Sequence, residues 1–513
     1  MNNIRTRVMA IPLALLLITV ILSYTNMESF LSVTSAMNSW MLSKLSWLFS
    51  GGALLMLTTL IVIYFSPLGL KRIGGENSTP LLSKWKWASI AVCTTTAAGM
   101  LFWGTAEPLY HLYGPPVSLG IDPNSVASAT FALSTMFMHW SIIPFSIYAL
   151  PALAFALALY NRNGNFSLGS TIEPLFGTDK ARTIGSIVDS LAMLALVAGM
   201  AASLGTGALV LSSGLSNVTG LEDNIVLLGI VIFIIMISFI ASSISGLEKG
   251  IARLSSLNAV LFIAIAIIAF IFGPSKEIIS GATAALGEYI TTFLPRSLGT
   301  VYEAGDTWPL SWTIFYWTNW LSWAPITALF LGKISRGYTV REFIVINLVI
   351  PAVFSIIWMS IFSGTILTID MQESGFYYQI MSEGGPGAVI YALLERLPGG
   401  QFLILGFIFI VYLAYVTAAD SNTDAISSLC LKNQHDDNKV NKQRNALKIL
   451  FGTLIAVVAW IMTGFIGIDG IKMLSNLGGF PAIIVVLLMN ISLFIWVYNS
   501  FQENKTTQIP QKD

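Results

Sequence analysis

Four aromatic residues recur at helical spacing inside one long apolar segment of the chain. They lie in WTIFYWTNWLSWAP, residues 312–325, and are Trp312, Tyr316, Trp320 and Trp323. Offsets of 4, 4 and 3 residues place these rings on one face of a helix. Ring faces attract a cation, and with no carboxylate nearby they suit a quaternary ammonium (onium) group, which cannot donate a hydrogen bond. The stripe is therefore a candidate onium-binding surface.

Two other interpretations of the stripe are a stack at a helix–helix contact and a tryptophan belt at a membrane interface. A belt would cluster within about one turn of a helix end, whereas this stripe runs through three turns. Pro325 follows the last ring by two residues and removes a backbone hydrogen bond. Ligand binding is therefore favoured, with the packing contact as the alternative.

The composition is that of a membrane protein. Of the 513 residues, 55% are hydrophobic and 10% charged, against about 25% charged in soluble domains. The formal net charge is zero, which implies no nucleic-acid partner. Cys93 and Cys430 lie in apolar stretches and form no disulfide framework. The first apolar run follows Arg7 without a clear cleavage site, so we expect a retained span.

Twelve stretches reach the length of about 20 residues that a bilayer-spanning helix needs. They are approximately 8–25, 46–66, 86–108, 126–160, 183–214, 224–244, 252–273, 309–332, 343–368, 401–430, 446–467 and 475–498. With the N-terminus inside, 21 of the 26 Lys and Arg fall on the cytoplasmic side. This is a strong positive-inside signal, and it predicts that both termini are cytoplasmic.

Two long outer loops, 274–308 and 369–400, contain amphipathic stretches near 276–292 and 386–398 that could lie along the membrane surface. The two loops occupy corresponding positions if spans 3–7 and 8–12 are two blocks. A block with an odd number of spans, when it is repeated in tandem, must have the opposite orientation in the membrane. The predicted organisation is therefore two extra helices, a first five-helix repeat, a loop with a surface helix, a second repeat and a short tail, with bounds 1–85, 86–273, 274–308, 309–498 and 499–513.

The third and fourth spans depart from plain apolar helices. Residues 93–108 read CTTTAAGMLFWGTAEP, whose small residues permit either close helix packing or an unwound turn with carbonyls facing an ion or substrate. In the fourth span, Trp140 and Tyr148 share a face with Phe145 beside it, and two prolines predict a bend. A packed aromatic seam is the alternative. His139 has no partner at metal-ligand spacing, so no metal site is predicted.

Carboxylates also occur within the predicted spans. Asp420 and Asp424 lie at i, i+4 in the tenth span, where an acidic residue usually marks a pathway or a partner. A helix end emerging into an inner vestibule is a compatible alternative. Asp189 lies near the start of the fifth span, where the helix dipole favours a negative charge, and we interpret it as structural.

Together these stretches resemble the betaine/carnitine/choline transporter family. The resemblance rests on WTIFYWTNWLSWAP followed by KISRGYTVREF, and on GTAEP, HWSIIPFSIY, IVDSLA…ASLGTGAL and SGLEKG…LSSLN, in matching order over essentially the whole chain. It implies an all-α integral membrane fold of twelve transmembrane helices, an inverted five-plus-five repeat preceded by two extra helices. It also implies a homotrimer that works by alternating access.

The resemblance further implies a substrate site. The onium head would lie in an aromatic box at Trp140, Tyr148, Trp320 and Trp323, with Phe145 at a position that is often Trp and Trp317 on the cytoplasmic side of the pathway. Asn319 stands where betaine carriers usually have Trp, and its amide could bond a substrate carboxylate or hydroxyl. Gly99 replaces the acidic residue typical of choline carriers, which favours a zwitterion.

The implied ion site is only partly matched. Cys93 and Thr96 align with carbonyl donors, and Thr417 with one of two hydroxyls, while Ala418 has lost the other. Met200 replaces a threonine of a second sodium site, as in sodium-independent carnitine exchangers, yet Asn258 matches the sodium-coupled carriers. On balance the resemblance favours Na⁺ as coupling ion, with no other cofactor.

We therefore expect a non-enzymatic secondary transporter in the bacterial cytoplasmic membrane, taking a glycine betaine- or carnitine-type compound by sodium symport. The alternatives are sodium-independent exchange of carnitine and γ-butyrobetaine, choline uptake, or an amino-acid carrier of the same fold. A channel is disfavoured because no span has a ring-forming selectivity sequence. An intramembrane enzyme is disfavoured because no acid/base pair accompanies the aromatic stripe.

Overall fold

The computed structural model describes residues 3–245, 248–432 and 438–508. Side chains are described except at 93–98, 101, 182, 245, 248–259, 438–439 and 505–508. Within these ranges the regular structure is helical, and extended backbone pairs only in two isolated bridges, Ile4 with Leu431 and Arg72 with Thr339. The expectation of an all-α protein is confirmed.

Seventeen α-helices are found in the described residues. They are α1 Thr6–Thr25, α2 Met27–Phe65, α3 Lys84–Tyr113, α4 Val126–Trp140, α5 Ile142–Asn161, α6 Glu173–Thr219, α7 Ile225–Ser245, α8 Glu248–Phe272, α9 Ser275–Leu298, α10 Phe315–Ile334, α11 Val340–Ile344, α12 Ile350–Gln372, α13 Phe376–Gly384, α14 Ala388–Glu395, α15 Gly400–Leu429, α16 Asn438–Ile466 and α17 Ile468–Gln508.

Nine helical segments of the described chain are long and apolar enough to cross a membrane, or ten if the bent pair α8–α9 is one span. The nine correspond to predicted spans 1, 2, 4, 5, 6, 9, 10, 11 and 12. The pair bends by 105° between Phe272 and Ser275. The third and eighth predicted spans correspond to α3 and α10, which are not among the nine; side chains at 93–98 and 101 of α3 lie outside the described ones, and the first half of α10 carries Trp, Tyr, Thr and Asn residues.

The centre of the bundle is formed by α5, α6, α10 and α17, which pack closely on one another. Every side chain of α5 from Ile143 to Ala158 is buried. Glycines permit the closest approaches: a Cβ at Gly479 of α17 would lie 2.6 Å from Thr318 of α10, and one at Gly199 of α6 would lie 2.7 Å from the Ser322 hydroxyl. The small residues of α6 therefore serve close helix packing.

The outer surface is apolar along several helices. On α7, the side chains of Ile230, Phe233, Ile234 and Ile237 are exposed, and α1 is likewise mostly exposed along its apolar length. Contiguous exposed apolar surface of this extent is stable only against another apolar phase. These faces are suited to contact with lipid.

Asp306 ties two connecting segments together near the start of α10. Its carboxylate accepts hydrogen bonds from the Ser118 hydroxyl at 2.6 Å, the Ser118 amide at 3.1 Å and the Trp308 amide at 2.9 Å. Burial by itself would raise the pKa of Asp306, but the hydrogen bonds from Ser118 and Trp308 together outweigh it and hold that pKa below its ordinary value. The ionised carboxylate therefore stabilises this connection.

Candidate functional site

Trp320 is the centre of a cluster of aromatic rings between α5 and α10. Its ring lies 5.5 Å from Trp140, 5.5 Å from Phe145 and 4.8 Å from Tyr148, measured between centroids. All three pairs meet edge to face, an arrangement that the ring quadrupoles favour. The structure thus brings together four of the predicted site residues, and we call Trp140, Phe145, Tyr148 and Trp320 the aromatic box.

A break in the fourth span positions the box. The helix stops at Trp140 and restarts at Ile142, because Ser141 adopts φ −120° and ψ −113°. Pro144 lacks the amide that would otherwise bond the carbonyl four residues earlier. At this interruption the buried carbonyl of His139 accepts a hydrogen bond of 3.0 Å from the Trp320 indole. The helix is thus interrupted where the sequence predicts a bend, and the hydrogen bond positions the ring at the centre of the box.

The other aromatic residues predicted for the site lie apart from the box. Trp323 is partly buried and makes no ring contact among the described residues. Trp317 is fully buried, and its ring lies 6.1 Å from that of His139. It precedes Trp320 and Trp323 along α10, so it lies nearer the end of the helix that carries Trp312.

Gly99 adjoins the box, and Asn319 directly precedes the box residue Trp320 on α10. The side-chain oxygen of Asn319 accepts a hydrogen bond of 3.0 Å from the Ser475 hydroxyl of α17, which leaves its amide nitrogen available as a donor. A Cβ at Gly99 would lie 3.1 Å from the Trp140 ring. Because that distance is tighter than ordinary van der Waals contact, any side chain here would displace the ring. The absence of a side chain at Gly99 therefore permits the observed position of the Trp140 ring.

Glu107 of α3 connects the box to a buried polar network. One carboxylate oxygen lies 3.0 Å from His111 Nε2 and 2.7 Å from His139 Nδ1. The other accepts hydrogen bonds from the Trp140 indole at 2.9 Å and from the Tyr316 hydroxyl. Glu107 and both histidines are completely buried. A single carboxylate therefore holds aromatic residues of α4 and α10 in place.

The sequence analysis did not assign Glu107 a role, although it lies in the GTAEP stretch. The signal that could have identified it is a carboxylate within a span with a histidine four residues later, since intramembrane acids usually have a partner or a function. The sequence predicts no metal-ligand partner for His139, because the carboxylate beside it, that of Glu107, comes from another helix and is 32 positions away.

Glu107, His111 and His139 also form a possible cation-binding group. One ligand atom from each lies within 4.8 Å of the other two. However, each carboxylate oxygen already has two hydrogen-bonding partners, and His139 Nε2 lies 3.2 Å from the Thr313 hydroxyl. Hydrogen bonds account for every contact of this carboxylate, so we assign the group to ring positioning.

The aromatic stripe continues from the box along α10 to Trp312. Tyr316 lies 5.4 Å from Trp140 and 4.4 Å from His139. Trp312 packs at 4.7 Å from His111 and 5.3 Å from Tyr110 of α3. These rings and the box form one continuous column, which we call the aromatic column.

The structure describes only part of the predicted ion site. The side chains of Cys93, Thr96 and Asn258 lie outside the described ones. The Thr417 hydroxyl donates to the Leu413 carbonyl within its own helix, at 2.7 Å. Met200 is buried, with its sulfur 4.0 Å from the Thr423 hydroxyl. In α15, Asp420 accepts a hydrogen bond from Ser242, and Asp424 pairs with Lys448 at 2.8 Å.

Comparison with known proteins agrees with the resemblance. A "Betaine/ectoine transporter LcoP" of Corynebacterium glutamicum is 30% identical over 494 residues, covering 94% of this chain and 76% of that protein. A "Glycine betaine/proline/choline/ectoine transporter VP1456" of Vibrio parahaemolyticus is 31% identical over 441 residues, covering 84% and 76%. A "Probable glycine betaine transporter" of Desulfitobacterium hafniense is 27% identical over 468 residues, covering 91% and 92%. These relatives are named as transporters, which supports a non-enzymatic role.

Among solved structures, the chain is similar to a Na⁺-coupled sialic acid symporter in a substrate-bound outward-open state. The TM-score is 0.49 at 14% identity, covering 86% of this chain and 85% of the other. The model of the family described as "BCCT, betaine/carnitine/choline family transporter" matches residues 7–502. The chain therefore belongs to the betaine/carnitine/choline transporter family.

Proposed function

We propose that the chain is a secondary active transporter that moves a glycine betaine- or carnitine-type zwitterion across the bacterial cytoplasmic membrane. The observation that carries this proposal is the aromatic box, in which Trp140, Phe145 and Tyr148 surround Trp320. Aromatic faces are the usual protein ligand for quaternary ammonium groups. The glycine betaine named for one relative carries such a group, and the ectoine named for another is likewise a zwitterion, with a delocalised amidinium cation.

The rest of the site is suited to the other end of a zwitterion. Asn319 directly precedes Trp320 on α10; its amide oxygen accepts from Ser475, and its amide nitrogen has no acceptor among the described residues. An onium group on Trp320 would place a short-chain carboxylate near this donor. In choline the corresponding group is a hydroxyl, which makes a weaker hydrogen bond than a carboxylate does.

For the architecture we propose twelve membrane spans with both termini cytoplasmic. They would comprise two extra helices and two inverted five-helix repeats, with α9 lying along the outer surface and three copies of the chain in the assembly. The 105° bend between α8 and α9 supports the surface helix, and the distribution of Lys and Arg supports the orientation.

We propose sodium coupling, with Cys93, Thr96 and Thr417 at the ion site. Sodium-independent exchange of carnitine-like substrates is the second candidate, and Met200 favours it. A thioether is a poor ligand for a hard cation such as Na⁺, which prefers oxygen, and the Met200 sulfur lies against Thr423 where the second ion site would be.

Uptake into proteoliposomes tests both the substrate and the coupling. Labelled glycine betaine and carnitine are supplied with and without an inward sodium gradient, and with and without unlabelled substrate inside. Uphill uptake that requires sodium supports symport, whereas uptake that requires only internal substrate supports the exchanger. If neither compound is taken up under any condition, the proposed substrate class is wrong.

A further inference from the structure

Lys472 of α17 places an ammonium group at one end of the aromatic column. Its Nζ lies 3.7 Å from the centroid of the Trp312 ring and 5.6 Å from that of Phe315. The side chain is partly buried. Trp312 is the first ring of the aromatic stripe, next to the connection at 299–309 that leads into α10. In the proposed orientation this is the outer end of the column.

No carboxylate among the described residues lies within 4 Å of this ammonium group, although Asp469 and Glu107 attract it from a greater distance. None of the ion pairs within 4 Å that the described chain contains involves Lys472. Asp469, three residues earlier on the same helix, is exposed and lies beyond that distance. A cation inside a membrane protein is costly unless it has a partner or a function. Ring contacts offset part of this cost, and an anion that arrives with the substrate would complete the pairing.

The helix that carries Lys472 also contacts the substrate site directly. One turn further along α17, the Ser475 hydroxyl donates to Asn319 at 3.0 Å. Asn476 accepts from the Thr318 hydroxyl at 2.6 Å. The backbone of Lys472 therefore lies about one helical turn, or roughly 5 Å, from that of Ser475, and its ammonium group contacts Trp312, seven residues or roughly 10 Å before Asn319. A carboxylate that first meets Lys472 would next meet the Asn319 amide.

We propose that Lys472 is a specificity-determining residue that recognises the substrate carboxylate at the outer end of the aromatic column, before the onium group reaches Trp320. This inference rests on the proposed function and deepens it. A zwitterion offers Lys472 a carboxylate while its onium group faces the rings. Choline carries only the positive charge, so the same ammonium repels it. Lys472 thereby favours betaine- and carnitine-type compounds over choline.

The test compares glycine betaine with choline as substrates of variant transporters in proteoliposomes. Lys472→Met removes the charge and keeps the apolar stem, whereas Lys472→Arg keeps the charge. The ratio of kcat/KM for glycine betaine to that for choline should fall about tenfold in the Met variant, within the range measured for charged groups that select partners. It should be restored in the Arg variant. Lys472→Gln serves as a second neutral variant if the Met variant does not fold.

Lys276→Met is the matched control, because this lysine at the start of α9 is exposed and distant in sequence from α10 and α17. Its ratio should equal that of the wild type. A second readout is the dependence on salt at constant osmolarity. Added NaCl should reduce the glycine betaine to choline ratio of the wild type, because salt screens charges that solvent reaches. The ratio of the neutral variant should not change. The sodium gradient is held constant by matching Na⁺ on both sides, with internal unlabelled substrate driving counterflow.

The possible failures are distinguishable. If the wild type takes up neither onium compound, the proposed function fails. If the wild type is active and the neutral variants lower kcat/KM for both substrates equally, Lys472 is only a packing residue and this inference is overturned. An unchanged ratio with unchanged activity overturns it as well.

Discussion

Replacing Glu107 by glutamine tests whether one carboxylate positions the aromatic box. The amide has nearly the same shape as the carboxylate but no charge. Its NH₂ group can face the histidines, because the free Nδ1 of His111 allows that ring to change tautomer without losing a hydrogen bond. The amide oxygen can then keep its contacts with Trp140 and Tyr316. Glu107→Gln therefore weakens these two bonds without removing them.

The size of the effect follows from the two weakened bonds. Hydrogen bonds to a charged group contribute about 1.5–3 kcal/mol and neutral ones about 0.5–1.5 kcal/mol, so each bond loses roughly 1 kcal/mol. If both rings are held less firmly, the substrate affinity should fall by up to about 2 kcal/mol, or about 30-fold. Glu107→Ala, which leaves the buried donors of both rings unpaired, should be more severe in both affinity and stability.

The assay is binding of glycine betaine followed by tryptophan fluorescence, with thermal unfolding in detergent measured on the same samples. Glu303→Gln is the control, since Glu303 is an exposed carboxylate near the same end of the protein, and it should change neither property. An affinity for Glu107→Gln within twofold of the wild type would refute the reasoning. So would a loss of stability without a loss of affinity, since Glu107 would then hold the helices rather than the rings.

Three further predictions can be tested with the same preparations. Trp320→Ala should weaken binding more than Trp323→Ala, because Trp320 contacts three rings of the box; similar losses would contradict the central place of Trp320. Gly99→Asp should reduce glycine betaine uptake at least tenfold, since even its Cβ approaches a box ring at 3.1 Å; an uptake rate near the wild type would contradict that. The lowered pKa of Asp306 means that its carboxylate stabilises the folded state above the ordinary Asp pKa of about 3.9 and that this contribution is lost as pH falls through the lower folded value. Asp306→Asn should therefore lower the Tm at pH 7 and lower it less as the pH falls below the ordinary Asp pKa; an equal difference at pH 7 and at pH 3 would contradict it.

The residues of the box could be predicted from the sequence because helical spacing is a local property. Trp140 and Tyr148 share a face because they are eight residues apart. Trp320 is likewise four residues after Tyr316 in the aromatic stripe. The rule was less informative for Trp323, which lies three residues after Trp320 and yet makes no ring contact with the box among the described residues. A shared helical face says which side chains point the same way, but not which of them meet a neighbouring helix.

Glu107 and Lys472 could not be assigned from the sequence for a different reason. The partners of Glu107 on α4 and α10 lie 32 to 209 positions away, and Lys472 meets Trp312 from the other end of the chain. Such contacts depend on how whole helices are arranged. The number of spans is limited differently: the first half of α10 carries polar and aromatic residues of the site, and part of α3 lies outside the described side chains.

The edge-to-face contacts within the aromatic box compete with the substrate for the rings. Each such ring pair is worth about 0.5–1.5 kcal/mol beyond its buried area. An onium group that displaces one of the three neighbouring rings from Trp320 loses that ring pair. The measured affinity is then the difference between onium–ring and ring–ring attraction, and losing two ring pairs would weaken it by roughly 5- to 150-fold. Weak net binding is useful to a carrier, because a substrate that is held only slightly more firmly than the rings hold one another is also released readily on the far side.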